Sequence, residues 1–313
     1  MTEKSWILIK IGRRMKLITK DDISLLTKEE KLRKIDTLRI AHPEFKKALD
    51  LIGMCHETHL DYSEPQCLLI TGNYGTGKSS IMEMYLQKHQ KIIPLERTTK
   101  VAILAGDIRY PTTINTFLES MLDHLGDSHP TKGTIGNKQH RLIKYISDSE
   151  VELIMLDEFQ HFINRDGNDK INHSVADCLK SIINSTKVPV VLIGMDESEL
   201  VLKANGQLKR RFSFRHHLSG FNCVNAESTD YFRILLNNLD KKLPFENLAG
   251  LKEHGMWEKF NAATNGNMFS LMKIIRTAAK DAVKADQKKI EMEYFSSAFE
   301  FHSSIMHGKN PFK

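Results

Sequence analysis

The segment Gly72-Asn73-Tyr74-Gly75-Thr76-Gly77-Lys78-Ser79, with Ser80 behind it, sets two glycines, a lysine and a hydroxyl at the spacing G-x-x-x-x-G-K-S. Glycines at such a loop let backbone amides turn inward around phosphate oxygens, in conformations that side chains would obstruct. Lys78 then supplies a cation to the β- and γ-phosphates, and the Ser79 hydroxyl coordinates magnesium. A helix that starts after Gly77 presents its amide-rich end to the same charge. The chemistry implied is binding of ATP with Mg2+ by Gly72 through Ser80. An apolar run before the loop and a helical pattern after it make coincidence a poor account of the match.

A second element is Val151-Glu152-Leu153-Ile154-Met155-Leu156-Asp157-Glu158, an apolar strand that ends in two carboxylates. Many strands end in an acid at the surface, so this pattern gains force from the phosphate loop upstream. Asp157 is expected to hold the magnesium from its second shell, and Glu158 to polarise the attacking water. Attack on a γ-phosphate needs positioning and charge neutralisation more than covalent help, so two carboxylates suffice. A third element, Gln207-Leu208-Lys209-Arg210-Arg211-Phe212, carries arginines that could stabilise charge on the transferring phosphoryl group. Its plain alternative is a basic helix end favoured by the helix dipole.

The elements that must position these groups alternate along the chain. Thr27-Lys28-Glu29-Glu30 fits a capping box that opens a helix running toward Pro43. Phe45, Ala48, Leu49 and Ile52 share one face of a second helix. Short apolar runs at Cys67–Thr71, Val101–Leu104, Leu153–Leu156 and Val188–Ile193 read as buried strands, and His216–Ser219 as another. Ser79–Lys88 reads as a helix, and Thr113 caps one through Leu125. Runs apolar on both faces, alternating with amphipathic helices, indicate a parallel sheet covered on two sides. After Phe221 only helices are expected, at about 227–240, 256–264, 269–284 and 292–303.

The fold class expected is therefore α/β, a P-loop NTPase core with its parallel sheet sandwiched by helices, plus a small all-helical carboxy-terminal lid. The expected organisation is a basic extension over 1–26, with Arg13, Arg14, Lys16 and Lys20; a core over 27–220 that includes amino-terminal helices at 27–60; the lid over 221–305; and a tail over 306–313. Residues 1–20 and Ser304–Lys313 can be read as docking segments or as disordered ends.

The 313 residues are 41% hydrophobic, with no apolar run long enough to span a bilayer and no signal-peptide core, since Lys10 interrupts Trp6-Ile7-Leu8-Ile9. A cytoplasmic protein with no membrane partner is expected. Cys55, Cys67, Cys178 and Cys223 are scattered without a CxxC pair, and the histidines lack ligand spacing, which disfavours disulfides and a protein-only metal centre. A net charge of +6 permits a polyanionic partner without requiring one.

With these pieces placed, the sequence resembles the AAA+ ATPases, and more narrowly the TniB/TnsC transposition regulators of bacterial mobile elements. The resemblance runs over roughly residues 30 to 280. It takes in Lys34–Arg39, Phe45–Leu51, Pro65–Gly72, the DE-x-x-H-like segment Asp157-Glu158-Phe159-Gln160-His161, Val188–Gly194 and Gln207–Phe212. It implies nucleotide ligands at Lys78 and Ser79, magnesium and water residues at Asp157 and Glu158, and an arginine finger acting on a neighbouring subunit. Arg211, just before Phe212, fits the finger position first and Arg210 second. Two departures stand out. Met195 occupies the place of the small polar γ-phosphate sensor, leaving Asp196 or Ser198 to serve. Gly266 is followed by Asn267, Met268 and Phe269 where many lids carry an arginine, with Lys273 or Arg276 as substitutes one turn later.

The resemblance implies a homo-oligomeric ring or helical filament on double-stranded DNA that links a TniQ-like target-selection protein to a transposase. Contacts would be mainly to phosphates, with Arg109, Thr112, Lys132, Lys138 and Arg141 as candidates and plain surface charge as their alternative reading. Two other functions fit the same motifs: a helicase loader or replication-initiator relative, and a scaffold that binds ATP without turnover. The Asp157-Glu158 pair speaks against the scaffold, which needs no water-positioning carboxylate.

Overall fold

The computed structural model describes residues 7–11, 14–18, 23, 25–60, 64–94, 99–110, 112–164, 170–171, 173–203, 206–221 and 223–313. Arg13 and Lys20 of the basic extension lie outside these residues. The described chain opens with an antiparallel hairpin of β1 (Ile7–Ile11) and β2 (Arg14–Ile18), then α1 (Lys28–Asp36). An α/β succession follows: α2 (Pro43–Glu57), β3 (Leu68–Thr71), α3 (Lys78–His89), β4 (Ile92–Pro94), β5 (Thr99–Val101), β6 (Ile103–Asp107), α4 (Ile114–His124) and α5 (Ile135–Asp148). It continues through β7 (Leu153–Asp157), β8 (Ile163–Asn164), β9 (Lys170–Ile171), α6 (His173–Thr186), β10 (Val190–Ile193), α7 (Ser198–Lys203), α8 (Gly206–Arg211) and β11 (Phe214–His217). Four helices follow: α9 (Ala226–Lys242), α10 (Met256–Thr264), α11 (Met268–Lys284) and α12 (Met292–Phe301).

Contacts divide the chain into two compact units, residues 43–219 and residues 1–42 with 220–313. The first holds a parallel five-stranded sheet in the order β11-β3-β10-β7-β6. Side chains on adjacent strand positions point to opposite faces. Leu69, Leu104, Ile154, Leu156, Val190 and Leu192 pack on one face with apolar residues of α4, α5 and α6. Leu68, Ile70, Met155 and Val191 are buried on the other, where α2 and α3 cover β3, β7 and β10. Burial on both faces is why these strands read as continuous apolar runs.

The register brings the strand ends level. Ile193 pairs with Ile70, Leu192 with Leu156, His217 with Thr71 and Asp107 with Asp157. The loop after β3 and the acids after β7 therefore share the carboxyl edge of the sheet, with β10 between them. In open parallel sheets ligands bind along this edge, where the strand order reverses.

The second unit is a helical bundle. Ile35, Phe232, Leu236, Phe260, Ile275 and Phe295 belong to one buried cluster, and α11 packs on α1, α10 and α12. The sequence grouped residues 27–60 with the α/β core; in the structure α1 sits in the helical unit, because Ile35 and Leu38 bury among its side chains, while α2 stays with the sheet. The capping box at Thr27 and Glu30 forms, but α1 ends at Asp36, well short of Pro43. Nor does the end of the chain hang free. Phe312 is buried with its ring centroid 5.1 Å from Phe260 and 5.9 Å from Phe295, and Asn310 bonds Ser296 and Glu300.

Candidate nucleotide site

Gly72 follows β3, beside Leu218, the residue that follows β11. A Cβ at this position would collide with the backbone carbonyl oxygen of Leu218, so no other residue fits without moving a strand end. Gly77 takes a left-handed conformation at φ +100° and begins α3 with no side-chain cap, which leaves the first amides of the helix unclaimed by side chains. Thr76 is buried and its hydroxyl donates to the Asn73 carbonyl at 3.0 Å, closing the loop on itself. The ammonium of Lys78 lies inside this curve, donating to Gly72 O and Asn73 O, each at 2.8 Å. Burial lowers its pKa, and Asp157, Glu158, Asp196 and Glu197 act in the opposite direction. Four carboxylates thus favour the charged form of one cation at the sheet edge.

Asp157 ends β7 almost fully buried. Burial raises its pKa, while the hydroxyl of Ser79 and the Glu158 amide, at 2.8 Å, donate to the carboxylate and lower it. One exposed hydroxyl backed by one buried carboxylate suits magnesium, which keeps most of its water and takes few protein ligands. Among the described residues no group of three or more His, Cys, Asp or Glu could hold a metal ion alone.

Glu158 adopts a left-handed backbone, φ +58° and ψ +35°, which only a small share of non-glycine residues do. Its half-exposed carboxylate lies beside Gln160 and His161. Gln160 Nε2 donates to Glu158 Oε2. His161 Nδ1 lies 2.6 Å from the Ile108 carbonyl, and its Nε2 is 4.0 Å from Glu158. Neither Gln160 nor Ile108 could be assigned a part from sequence. Gln160 does stand out as an amide set between Phe159 and Phe162, both buried.

The other expected site residues divide. Arg210 is exposed in the last turn of α8. Arg211 turns inward: its side chain is only 17% exposed, Nη2 stands 3.9 Å from Glu64, and Nη1 is buried without a hydrogen-bond partner. Asp196 does not stand alone, since its carboxylate is 3.1 Å from His217 Nδ1, itself 3.3 Å from Thr71 Oγ1. Ser198 is wholly buried beside Gly194. Within the helical unit, Arg276 donates to the Leu38 carbonyl at 2.8 Å and Lys273 lies over the Phe269 ring at 5.4 Å.

Among the residues expected to meet DNA, Arg109 and Lys132 are exposed. The Thr112 hydroxyl is spent on the Arg109 carbonyl. Lys138 is a correction. It is 2% exposed, and its ammonium bonds Asn115 at 2.7 Å and Glu119 at 2.5 Å, tying α5 to α4. Arg141 likewise organises its own surroundings, bonding the His129 and Lys132 carbonyls and pairing with Asp127 at 3.3 Å.

A phosphate loop after the first strand, acids at the end of the third, and a fourth strand inserted between them define the AAA+ ATPase fold. Solved structures bear out that class. The chain is similar to the Orc1 protein of Aeropyrum pernix in complex with DNA, with 17% identity over 87% of this chain and 69% of that one, TM-score 0.62. It is similar also to the Aeropyrum pernix ORC2 protein in ADPNP-ADP complexes, at 14% over 87% and 72%, TM-score 0.61. Cdc6p from Pyrobaculum aerophilum gives 12% over 88% and 71%, TM-score 0.60. At these identities the likeness is one of fold. No curated protein matches the chain. The narrower assignment comes from the family described as Bacterial TniB protein, which matches residues 31–221. The chain belongs to the TniB family.

Proposed function

We propose that the protein is an ATP-hydrolysing, DNA-binding regulator of transposition, which assembles on double-stranded DNA and switches or disassembles when ATP is cleaved. The observation that carries this reading is the meeting of Lys78, Ser79, Asp157 and Glu158 at one sheet edge in a member of the TniB family. In this reading the loop 72–80 binds the ATP phosphates, Lys78 neutralises them, and Glu158 accepts the proton of the attacking water. Ser79 and, through it, Asp157 would hold magnesium, which would supply charge neutralisation on the phosphates.

A phosphoryl-transfer site of this kind also calls for a cation on the γ-phosphate from outside the loop. Arg210 suits that part better than Arg211, because a finger that reaches into another subunit must project from its own. Hydrolysis then depends on assembly, and the protein acts as a ring or helical homo-oligomer. Arg109 and Lys132 remain as exposed candidates for the DNA phosphates. A TniQ-like target-selection protein and a transposase are the partners proposed from the family, and the cytoplasm the place of action. Among the described residues no helix is long and apolar enough to cross a membrane.

Phosphate release from ATP, measured with and without duplex DNA, tests the proposal. Turnover that rises with DNA and is lost in Glu158→Gln supports it. Turnover that is absent under all conditions identifies an ATP-binding scaffold instead.

A further inference from the structure

Glu158 is half-exposed on a left-handed turn, so its own backbone does not fix where the carboxylate points. Two side chains could fix it, His161 and Gln160. His161 faces a carbonyl oxygen through Nδ1, so that nitrogen carries the hydrogen. In the neutral ring Nε2 is then a bare acceptor, and at 4.0 Å from Glu158 Oε2 it is beyond hydrogen-bonding reach in any case. Gln160 is different. It is 4% exposed, and its Oε1 accepts from the backbone N–H of Met195 at 2.9 Å. A backbone N–H can only donate, which settles the orientation of the amide: the other end must be the NH2 group, and that end meets Glu158 Oε2.

The space for this amide is built in. Gly194 follows β10 directly, and a Cβ there would come within 2.7 Å of Gln160 Oε1 and would collide with the Ser198 hydroxyl. Met195 follows, where the sequence lacks the small polar side chain expected of a γ-phosphate sensor. The polar contact at this strand end is made instead by the Met195 backbone, through Gln160, to Glu158.

We propose that Gln160 is the positioning residue of the hydrolytic site, aiming the Glu158 carboxylate and coupling it to the end of β10 in place of a sensor side chain. The inference rests on the hydrolytic reading above. It differs from a merely structural part for Gln160, because the donor half of the amide serves Glu158 and the acceptor half serves the backbone. The halves can be separated. Gln160→Glu keeps shape and acceptor and, above the pH at which it shares a proton with Glu158, has nothing to donate, whereas Gln160→Ala removes both. Turnover of Gln160→Glu is therefore read across pH.

The test combines DNA-stimulated ATP turnover, affinity for a fluorescent ATP analogue, and amide hydrogen exchange at Met195. Both variants are expected to lose about 100-fold in kcat, the order lost when a reacting group is displaced by an ångström, with analogue affinity within about twofold of wild type. Met195 exchange should quicken in Gln160→Ala and stay protected in Gln160→Glu. Wild-type kcat in Gln160→Glu, or unchanged Met195 exchange in Gln160→Ala, overturns the assignment. So does a kcat loss that is matched by lost analogue binding, which marks a general collapse of the site. If the wild-type protein fails to turn over ATP, the hydrolytic reading itself has failed and this inference goes with it.

Discussion

The hydroxyl of Ser79 hydrogen-bonds the carboxylate of Asp157, joining the first turn of α3 to the end of β7 with β10 between their strands. Burial raises the Asp157 pKa, so its charge is kept at a cost in folding stability. Asp157→Asn is therefore expected to raise the melting temperature of the ligand-free protein. The same change should weaken magnesium-dependent ATP binding about 10-fold or more, as loss of an outer-shell metal partner does. Calorimetry, and analogue titrations with magnesium or EDTA, measure the two effects. Both moving the same way would contradict this account.

Gly72 tolerates no side chain because the Leu218 carbonyl occupies the space. Backbone meets backbone here, so the clash cannot be relieved by a rotamer change. Gly72→Ala should cost about 1–3 kcal/mol, as overpacking does, and abolish analogue binding. Denaturant unfolding and the analogue titration check this, and wild-type affinity in the variant would refute it.

Lys138 and Lys132 should behave oppositely, although both are lysines near one end of α5. Lys138→Ala leaves Glu119 partly buried without its cation and should destabilise the protein by about 3 kcal/mol. Lys132→Glu, and Arg109→Glu with it, should leave stability unchanged while weakening DNA binding. Each should lower the slope of log affinity against log salt by about one. Salt-dependent binding isotherms that leave both slopes at the wild-type value would remove Arg109 and Lys132 from the DNA-facing surface.

His56 is buried between Tyr85 and Glu152, 2.9 and 3.1 Å away, and burial lowers its pKa despite the carboxylate. Burial lowers that of His216 as well. A lowered folded pKa means that the unfolded chain binds more protons between the two values, so stability rises with pH across that window. Unfolding free energy should hold steady above the ordinary histidine value of 6.5 and fall as pH drops below it. His56→Gln should flatten the fall. An unchanged profile in that variant would assign the pH response elsewhere.

What the sequence made legible was what local chemistry alone specifies. The strand before Gly72 was plain because Leu68, Leu69 and Ile70 are buried on both faces, and α4 because Thr113 caps it as expected. Val101–Leu104 read as one strand but is broken at Ala102. The Ala102 amide donates to Lys91 O, and its carbonyl accepts from Glu152 and Leu153, so the backbone turns from one sheet into another. The hairpin of β4 and β5 leaves no mark in the sequence because Ile92 and Ile93 are both exposed and show no period of two. Lys138 looked like surface charge because nothing within its own helix betrays Asn115 and Glu119, which pack against it from α4. The part played by Gln160 was hidden for the same reason. Its second partner is the backbone of Met195, which no residue type announces.

In the function proposed here, ATP held by Lys78 builds an assembly on DNA and Glu158 takes it apart. Size measurement by light scattering, with ATP, magnesium and duplex DNA, tests it most directly on two variants. Glu158→Gln should accumulate as a large, long-lived complex on DNA, and Lys78→Ala should remain unassembled under the same conditions. Equal size and equal DNA binding in both variants, with and without ATP, would contradict the claim.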